Sequence, residues 1–375
     1  MKAAACQEKD WGGGGEITVF EGRRRLVPSL RDNTNSRFRL KSEPAEQDSG
    51  NRLCNHAHMQ NRSFIYRSFG PPVERLALET VDMAPVNPTQ LRVAMSFVPI
   101  NPSDLIPITG AYTHRIELPA IAGYEGVGRV ISAPPAHSAL LGRRVLPLRG
   151  AGTWQAYVDC DPDLAVPVPD SVGDLTAARA YINPLAALTM LDRWPVAGKR
   201  LLLSGAGSTC AELLASWARE QGAAEIRGIY RSESRVERLL SSGIEPVSMH
   251  DLEGIRTAAA SADLVFDSLG GPIGSLVLEG MREGSAFIGY GLLSGQSIRA
   301  PNSIRARYHR FHLRDSLAAM TAESWQRQFL RLWPKLNEDN LPPVQVFPFH
   351  DWRVALEQAA KPGGAKPMLH FAPME

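Results

Sequence analysis

From about residue 174 the chain changes character, and that change restricts its folds more than any other feature. Residues 174–194 carry Leu175, Ala178, Tyr181, Leu185 and Leu188 at helical spacing. Short apolar runs then alternate with helical patterns: 200–203, a helix over 209–221, 226–229, a helix over 234–242, 264–266, a helix over 273–281, and 286–288. Strands joined by helices imply right-handed crossovers and a parallel sheet covered on both faces. The predicted class is therefore α/β, with a doubly wound sheet whose ligands bind at the C-terminal ends of its strands.

Upstream the pattern is all β. Segments rich in Val, Ile and Tyr at 63–69, 90–99, 121–133, 143–148, 153–160 and 164–169 are separated by Pro, Gly and Asp turns, the spacing of a small barrel or folded sheet. The tail resumes that kind of pattern, with a helix over 324–336, a strand at 344–347, a helix over 351–360 and a final strand within 363–371. A chain of 375 residues accommodates two such domains. Residues 1–58 differ from both, with a glycine run at 12–15, an arginine run at 23–25 and few periodic apolar positions. They are expected to be a disordered or non-native extension, with translation starting at Met59. Acids scattered among the basic residues speak against a transit peptide.

A net charge of +2 gives no global attraction to nucleic acid or anionic membrane, and no apolar run is long enough to span a bilayer. Cys6, Cys54, Cys160 and Cys210 form no CxxC pair, so neither a disulfide framework nor a structural zinc is expected. A reducing, cytoplasmic setting is the simplest expectation.

Two regions carry chemistry. In LLLSGAGSTCAELLASW (201–217), a buried strand runs through Gly205, Gly207, Ser208 and Thr209 into a helix, so that backbone amides can meet a pyrophosphate. The next strand ends in Tyr230, Arg231, Ser232, Glu233, Ser234, Arg235. Where NAD-binding folds place an acid for the ribose 2′-hydroxyl, Arg231 stands here. With Ser232 and Arg235 it suits a 2′-phosphate, hence NADPH. Gly270 and Tyr290 follow later strands at their C-terminal ends. The second region, 99–130, holds Asn101-Pro102-Ser103-Asp104, Tyr112 in Gly110-Ala111-Tyr112, and Gly123-Tyr124-Glu125.

These motifs, with Gly152-Thr153-Trp154-Gln155 and Asn183-Pro184-Leu185-Ala186-Ala187, resemble the zinc-free branch of the medium-chain dehydrogenase/reductase superfamily. Within it the chain is most similar to 2-enoyl-CoA/ACP (enoyl-thioester) reductases, next to quinone oxidoreductases. The resemblance runs from Met59 to the C-terminus. It implies a GroES-like β-barrel catalytic domain (59–180, completed by 321–375) and a Rossmann nucleotide-binding domain (181–320). Zinc-dependent relatives place a Cys and a Gly-His-Glu motif where this chain has Asn101 to Asp104 and Gly123-Tyr124-Glu125, so no metal is expected.

The resemblance further implies hydride transfer from NADPH to Cβ of a 2-enoyl thioester, with Tyr112 stabilising the enolate or donating a proton. Asn101 joins Tyr112 as a catalytic candidate, Asn183 and Lys366 as cofactor contacts, and Trp154 as a substrate-lining residue. Implied partners are a small acyl thioester or quinone, an acyl carrier protein, and a second copy in a homodimer, in a setting of fatty acid metabolism. Two other readings stay open: an NADPH:quinone or enone oxidoreductase, and a weakly active nucleotide-binding homologue. Thr209 and Ala186 depart from the family pattern. So does the basic segment 298–313, whose Arg305, Arg307, His309, Arg310 and His312 are expected to be exposed.

Overall fold

The computed structural model describes residues 59–299, 304–336, 341–361 and 363–371, so the expectation for residues 1–58 lies outside it. The barrel region runs through β1 (Gln60–Tyr66), α1 (Pro72–Arg75), β2 (Leu76–Asp82), β3 (Leu91–Pro99), α2 (Pro102–Leu105), β4 (Ala120–Ile121), β5 (Val127–Ser132), β6 (Arg144–Leu146), β7 (Tyr157–Cys160) and β8 (Val166–Pro167). After α3 (Asp174–Ala177) and α4 (Ile182–Arg193) comes β9 (Arg200–Ser204), followed by α5 (Thr209–Glu220), β10 (Glu225–Tyr230), α6 (Val236–Ser241) and β11 (Glu245–Ser248). Next are α7 (Leu252–Ser261), β12 (Leu264–Asp267), α8 (Gly271–Gly280), β13 (Ala286–Gly289) and β14 (Arg307–Arg310). The chain closes with α9 (Leu313–Leu317), α10 (Ala322–Leu332), β15 (Val344–Pro348), α11 (Trp352–Ala360) and β16 (Lys366–His370).

The second half forms a sheet of order β11-β10-β9-β12-β13-β14, parallel at every pairing. Two runs of crossovers leave in opposite directions from β9, and the crevice between β9 and β12 opens where the order reverses. Helices cover both faces, so β12 (Leu264, Val265, Phe266, Asp267) is buried at every residue. In the barrel, β3 is the hub: it pairs with β5, β7 and, from the C-terminal segment, β16. Phe64, Leu91, Val93, Trp154, Leu369 and Phe371 form its core.

Three strands have no counterpart in the apolar pattern of the sequence: β2, β11 and β14. Each lies at the edge of its sheet, where one side faces water and no apolar run is required. The helix α7 also escaped the pattern, because alanines supply most of its buried face (Ile255, Ala258, Ala259). The single helix expected over 174–194 is two, α3 and α4. Pro184 is the reason. In a continuous helix it would sit in the interior, lacking an N–H and clashing with the carbonyl four residues back; in the first turn of α4 it is tolerated.

Gly123 shapes the approach to β5. Its φ is +89°, and a Cβ there would strike the Trp154 indole. Gly123→Ala is expected to cost about 2–5 kcal/mol from backbone strain and overpacking together, read from the denaturation midpoint in urea.

Candidate active site

Where β3 ends, the chain enters the single turn α2, and Asn101 and Asp104 turn inward. Asp104 accepts the Asn101 amide (2.8 Å) and the Tyr124 amide (3.0 Å), fastening the turn to the segment before β5. Glu125, 1% exposed, does more. One carboxylate oxygen accepts the Asn101 side-chain Nδ2 (2.7 Å); the other accepts the backbone amides of Tyr181 (3.1 Å) and Ile182 (2.7 Å) at the start of α4. Asn183 Nδ2 then donates to Asn101 Oδ1 at 3.2 Å.

Lys366, at the start of β16, faces both carboxylates. Burial lowers its pKa, and the charges of Glu125 and Asp104 oppose the fall. Burial raises Glu125 against its amide donors and Lys366. Asp104 is pushed up to about 7 by burial and by the charge of Glu125. Tyr124 is half-buried and pushed up to about 12, chiefly by burial. Asp104 and the phenols of Tyr66 and Tyr112 add to the rise, and Arg314 opposes it.

Tyr112 stands in the turn after Gly110, whose φ is +93°. Its ring meets His312 edge-on at 6.0 Å, with the Arg115 guanidinium 5.8 Å away. Its hydroxyl makes no hydrogen bond among the described residues. His312 is half-buried and its Nδ1 has no partner among those residues; burial lowers its pKa, and Arg115, Arg310 and Arg314 add to that.

On the nucleotide side, β9 is followed by Gly205 at φ +61°, where a Cβ would strike the Ser268 hydroxyl. Ser208 caps α5, its side chain accepting the Ala211 amide, and the first amides of the helix have no intrahelical acceptor. Arg235 lies over the turn: a Cβ on Gly207 would sit 3.2 Å from Arg235 Cγ. Arg235 also donates to the Gly364 carbonyl at 3.1 Å, beside the Ser232–Ser234 hydroxyl pair (2.9 Å), which faces Gly363. Asp267 accepts the Ser204 hydroxyl and the amides of Leu269 and Gly270, bracing the next turn.

Residues 87–170 match the alcohol dehydrogenase GroES-like domain. The mitochondrial enoyl-[acyl-carrier-protein] reductase of Arabidopsis thaliana is 27% identical over 331 residues, 82% of this chain and 87% of that protein. The human mitochondrial enoyl-[acyl-carrier-protein] reductase is 25% identical over 321 residues, 80% and 86% of the two chains. A solved structure from Bacillus thuringiensis, assigned as an NADPH:quinone reductase, is 33% identical, with a TM-score of 0.77, covering 84% of this chain and 100% of its own. The chain belongs to the zinc-free medium-chain dehydrogenase/reductase superfamily.

As an oxidoreductase of that superfamily, it assembles some expected residues and reassigns others. Gly205, Gly207, Ser208, Thr209, Ser232 and Arg235 converge at the β9 turn. The cradle there, with no room for a Cβ at Gly205 and a guanidinium over Gly207, fits a phosphorylated dinucleotide. Gly270, at φ +62°, caps α8 at the neighbouring turn. Arg231 is exposed and makes no ion pair among the described residues. Lys366 sits with Glu125 and Asp104, apart from the serine pair. The Tyr290 hydroxyl is buried without a well-formed hydrogen bond, turned toward Cys210, Ser268 and Ser208 beneath the glycine turn.

Two expectations need correction. Trp154 does not line a substrate pocket: it is 1% exposed, packs edge-on to Phe64 and donates to the Pro99 carbonyl at 3.2 Å. Asn101, also 1% exposed, has no surface to offer a substrate and so is not catalytic by contact. Sequence reasoning missed Asp104, Glu125 and Tyr124 as parts of the reductase site, although all three lie in its motifs. In the basic segment, Arg305, Arg307 and Arg310 are exposed, while His309 and His312 are half-buried.

Asp104 gives a pH signature. Between its usual 3.8 and about 7, the folded chain holds a proton that the unfolded chain has released. Stability therefore falls as pH rises through that window and changes no further above it. In Asp104→Asn this descent is absent. Melting curves from pH 4.5 to 7.5 will show the wild type losing ground against the variant by close to the slope of one proton.

Proposed function

We propose that the protein is an NADPH-dependent reductase of an activated carbon–carbon double bond, its substrate a 2-enoyl thioester. The observation that carries this reading is Tyr112, a phenol whose ring is held by His312 and Arg115 while its hydroxyl stays unengaged among the described residues. Similarity to enoyl-[acyl-carrier-protein] reductases over most of both chains supports it.

NADPH, when bound, supplies the hydride to Cβ of the enoyl group. Negative charge then develops on the thioester oxygen, and Cα needs a proton. Tyr112 hydrogen-bonds that oxygen or hands on the proton. Arg235, with Ser232 and Ser234, holds the cofactor's 2′-phosphate by charge-assisted bonds. Gly205, Gly207 and the first amides of α5 receive the pyrophosphate. Asn183, half-buried at the start of α4, presents its amide to the nicotinamide side of the crevice. CoA or an acyl carrier protein serves as thioester carrier, and the working form is a homodimer.

The B. thuringiensis protein favours a second reading, NADPH:quinone reduction by the same fold. Following NADPH oxidation with crotonyl-CoA against 1,4-benzoquinone separates the two. The enoyl reading requires faster turnover of crotonyl-CoA, and Tyr112→Phe should lower that kcat by about 10²–10⁴; benzoquinone as the sole acceptor would overturn it.

Arg235→Ala is expected to raise KM for NADPH roughly ten- to a hundredfold and leave that for NADH unchanged. Steady-state assays with both nucleotides check this.

A further inference from the structure

Glu125 is surrounded by donors alone. Both backbone amides and the Asn101 side chain point hydrogens at its carboxylate, and an ionised carboxylate can only accept. That fixes the Asn101 amide, nitrogen toward Glu125 and oxygen away. The oxygen meets Asn183, which must donate to it. The Asn183 amide is thereby fixed in turn, leaving its carbonyl and one N–H to face outward. Burial raises the pKa of Glu125, and the hydrogens aimed at it, together with the charge of Lys366, oppose that rise in favour of the ionised carboxylate.

We propose that Glu125 is a positioning residue of the reaction, setting through Asn101 which face of the Asn183 amide is presented to the nicotinamide side of the crevice. The inference rests on the function proposed above for what Asn183 meets. The polarity of the relay itself is a property of the protein alone. Nothing in the gross fold requires this arrangement, since asparagine has the same shape either way round. The carboxylate, accepting from Asn101 Nδ2, breaks the tie.

Glu125→Gln keeps size and removes that asymmetry. The substituted side chain must turn its oxygen to the two backbone amides, which cannot reverse, and its nitrogen to Asn101. Asn101 then flips, and Asn183 with it. Adding Asn101→Asp supplies a carboxylate that accepts on both sides, returning Asn183 to its original orientation at unchanged net charge.

The first readout is NMR on ligand-free protein labelled with ¹⁵N-asparagine and ¹⁵N-isoleucine. In the wild type a nuclear Overhauser effect should join the Asn101 side-chain NH₂ to the Ile182 amide; in E125Q it should be lost. The second is turnover of crotonyl-CoA with NADPH beside the melting temperature. E125Q should lose on the order of ten- to a hundredfold in kcat/KM at little cost in melting temperature, E125Q/N101D should recover most of it, and E125Q should cost nothing further on an Asn183→Ala background. An Overhauser effect unmoved in E125Q, no recovery in the double variant, or full additivity with Asn183→Ala would each overturn the proposal. If E125Q alone does not fold, N101D and E125Q/N101D still decide. N101D sets two carboxylates face to face, so adding E125Q must improve both melting temperature and turnover, and the reverse result overturns the inference. A wild type that shows the expected Overhauser effect but neither binds NADPH nor reduces crotonyl-CoA overturns the proposed function and leaves the relay standing.

Discussion

A carboxylate buried at 1% exposure is a large liability unless every lone pair is met, and Glu125 meets that demand by recruiting donors from distant parts of the chain. The Asn101 side chain comes from the end of β3, and the two amides come from the start of α4, 56 and 57 residues further on than Glu125. Its own carbonyl accepts the Thr153 hydroxyl at 2.8 Å, drawing in the loop that carries Trp154. Trp154 can pack there only because Gly123 has no Cβ. The carboxylate thus fixes the exit of the barrel's hub strand and the start of the helix leading to the parallel sheet, while the backbone of the same residue holds the loop that packs the barrel core. Replacing it by an apolar residue would leave two helix-start amides and an asparagine without acceptors at once.

The nucleotide side uses the same device at a second place. Asp267 ends β12 and takes the Ser204 hydroxyl of β9 together with the amides of Leu269 and Gly270. The two strands flanking the reversal in strand order are thereby tied at their C-terminal ends, where the crevice opens. Across the seam, Arg235 on the sheet side reaches the Gly364 carbonyl in the segment before β16. The last strand is therefore joined to the site twice, through Lys366 toward Glu125 and through Gly364 toward Arg235.

Much of this was legible in the sequence because burial writes it there. The parallel strands β9, β12 and β13 are covered on both faces and read as short apolar runs; the edge strands β2, β11 and β14 are not covered, and nothing in their composition announces them. Pro184 marked the helix break at α4, yet the helical spacing of Leu175, Ala178 and Tyr181 ran through it. The site divides in the same way. Residues whose chemistry suits a ligand, such as Tyr112 and Arg235, can be nominated from motif and position. Buried polar residues acquire their role only from partners distant in sequence. Glu125 stood in a motif whose departure from the metal-site pattern is Tyr124, and its bonds to Tyr181 and Ile182 are invisible until the chain is folded. Trp154 shows the converse: a motif residue whose position in sequence suggested a pocket wall and whose size made it core.

The distribution of charge then bears on the chemistry itself. Both buried acids are committed to backbone and side-chain amides, and Lys366 acts on them through its charge. The hydrogen-bond donors beside them are neutral, namely the phenol of Tyr112, the half-buried phenol of Tyr124 held protonated to about 12, and the Asn183 amide, with the Arg115 guanidinium 5.8 Å from the Tyr112 ring. Neutral donors held in place by buried hydrogen bonds suit a reaction in which negative charge appears only transiently on a substrate oxygen. A phenol strengthens its hydrogen bond as such charge develops.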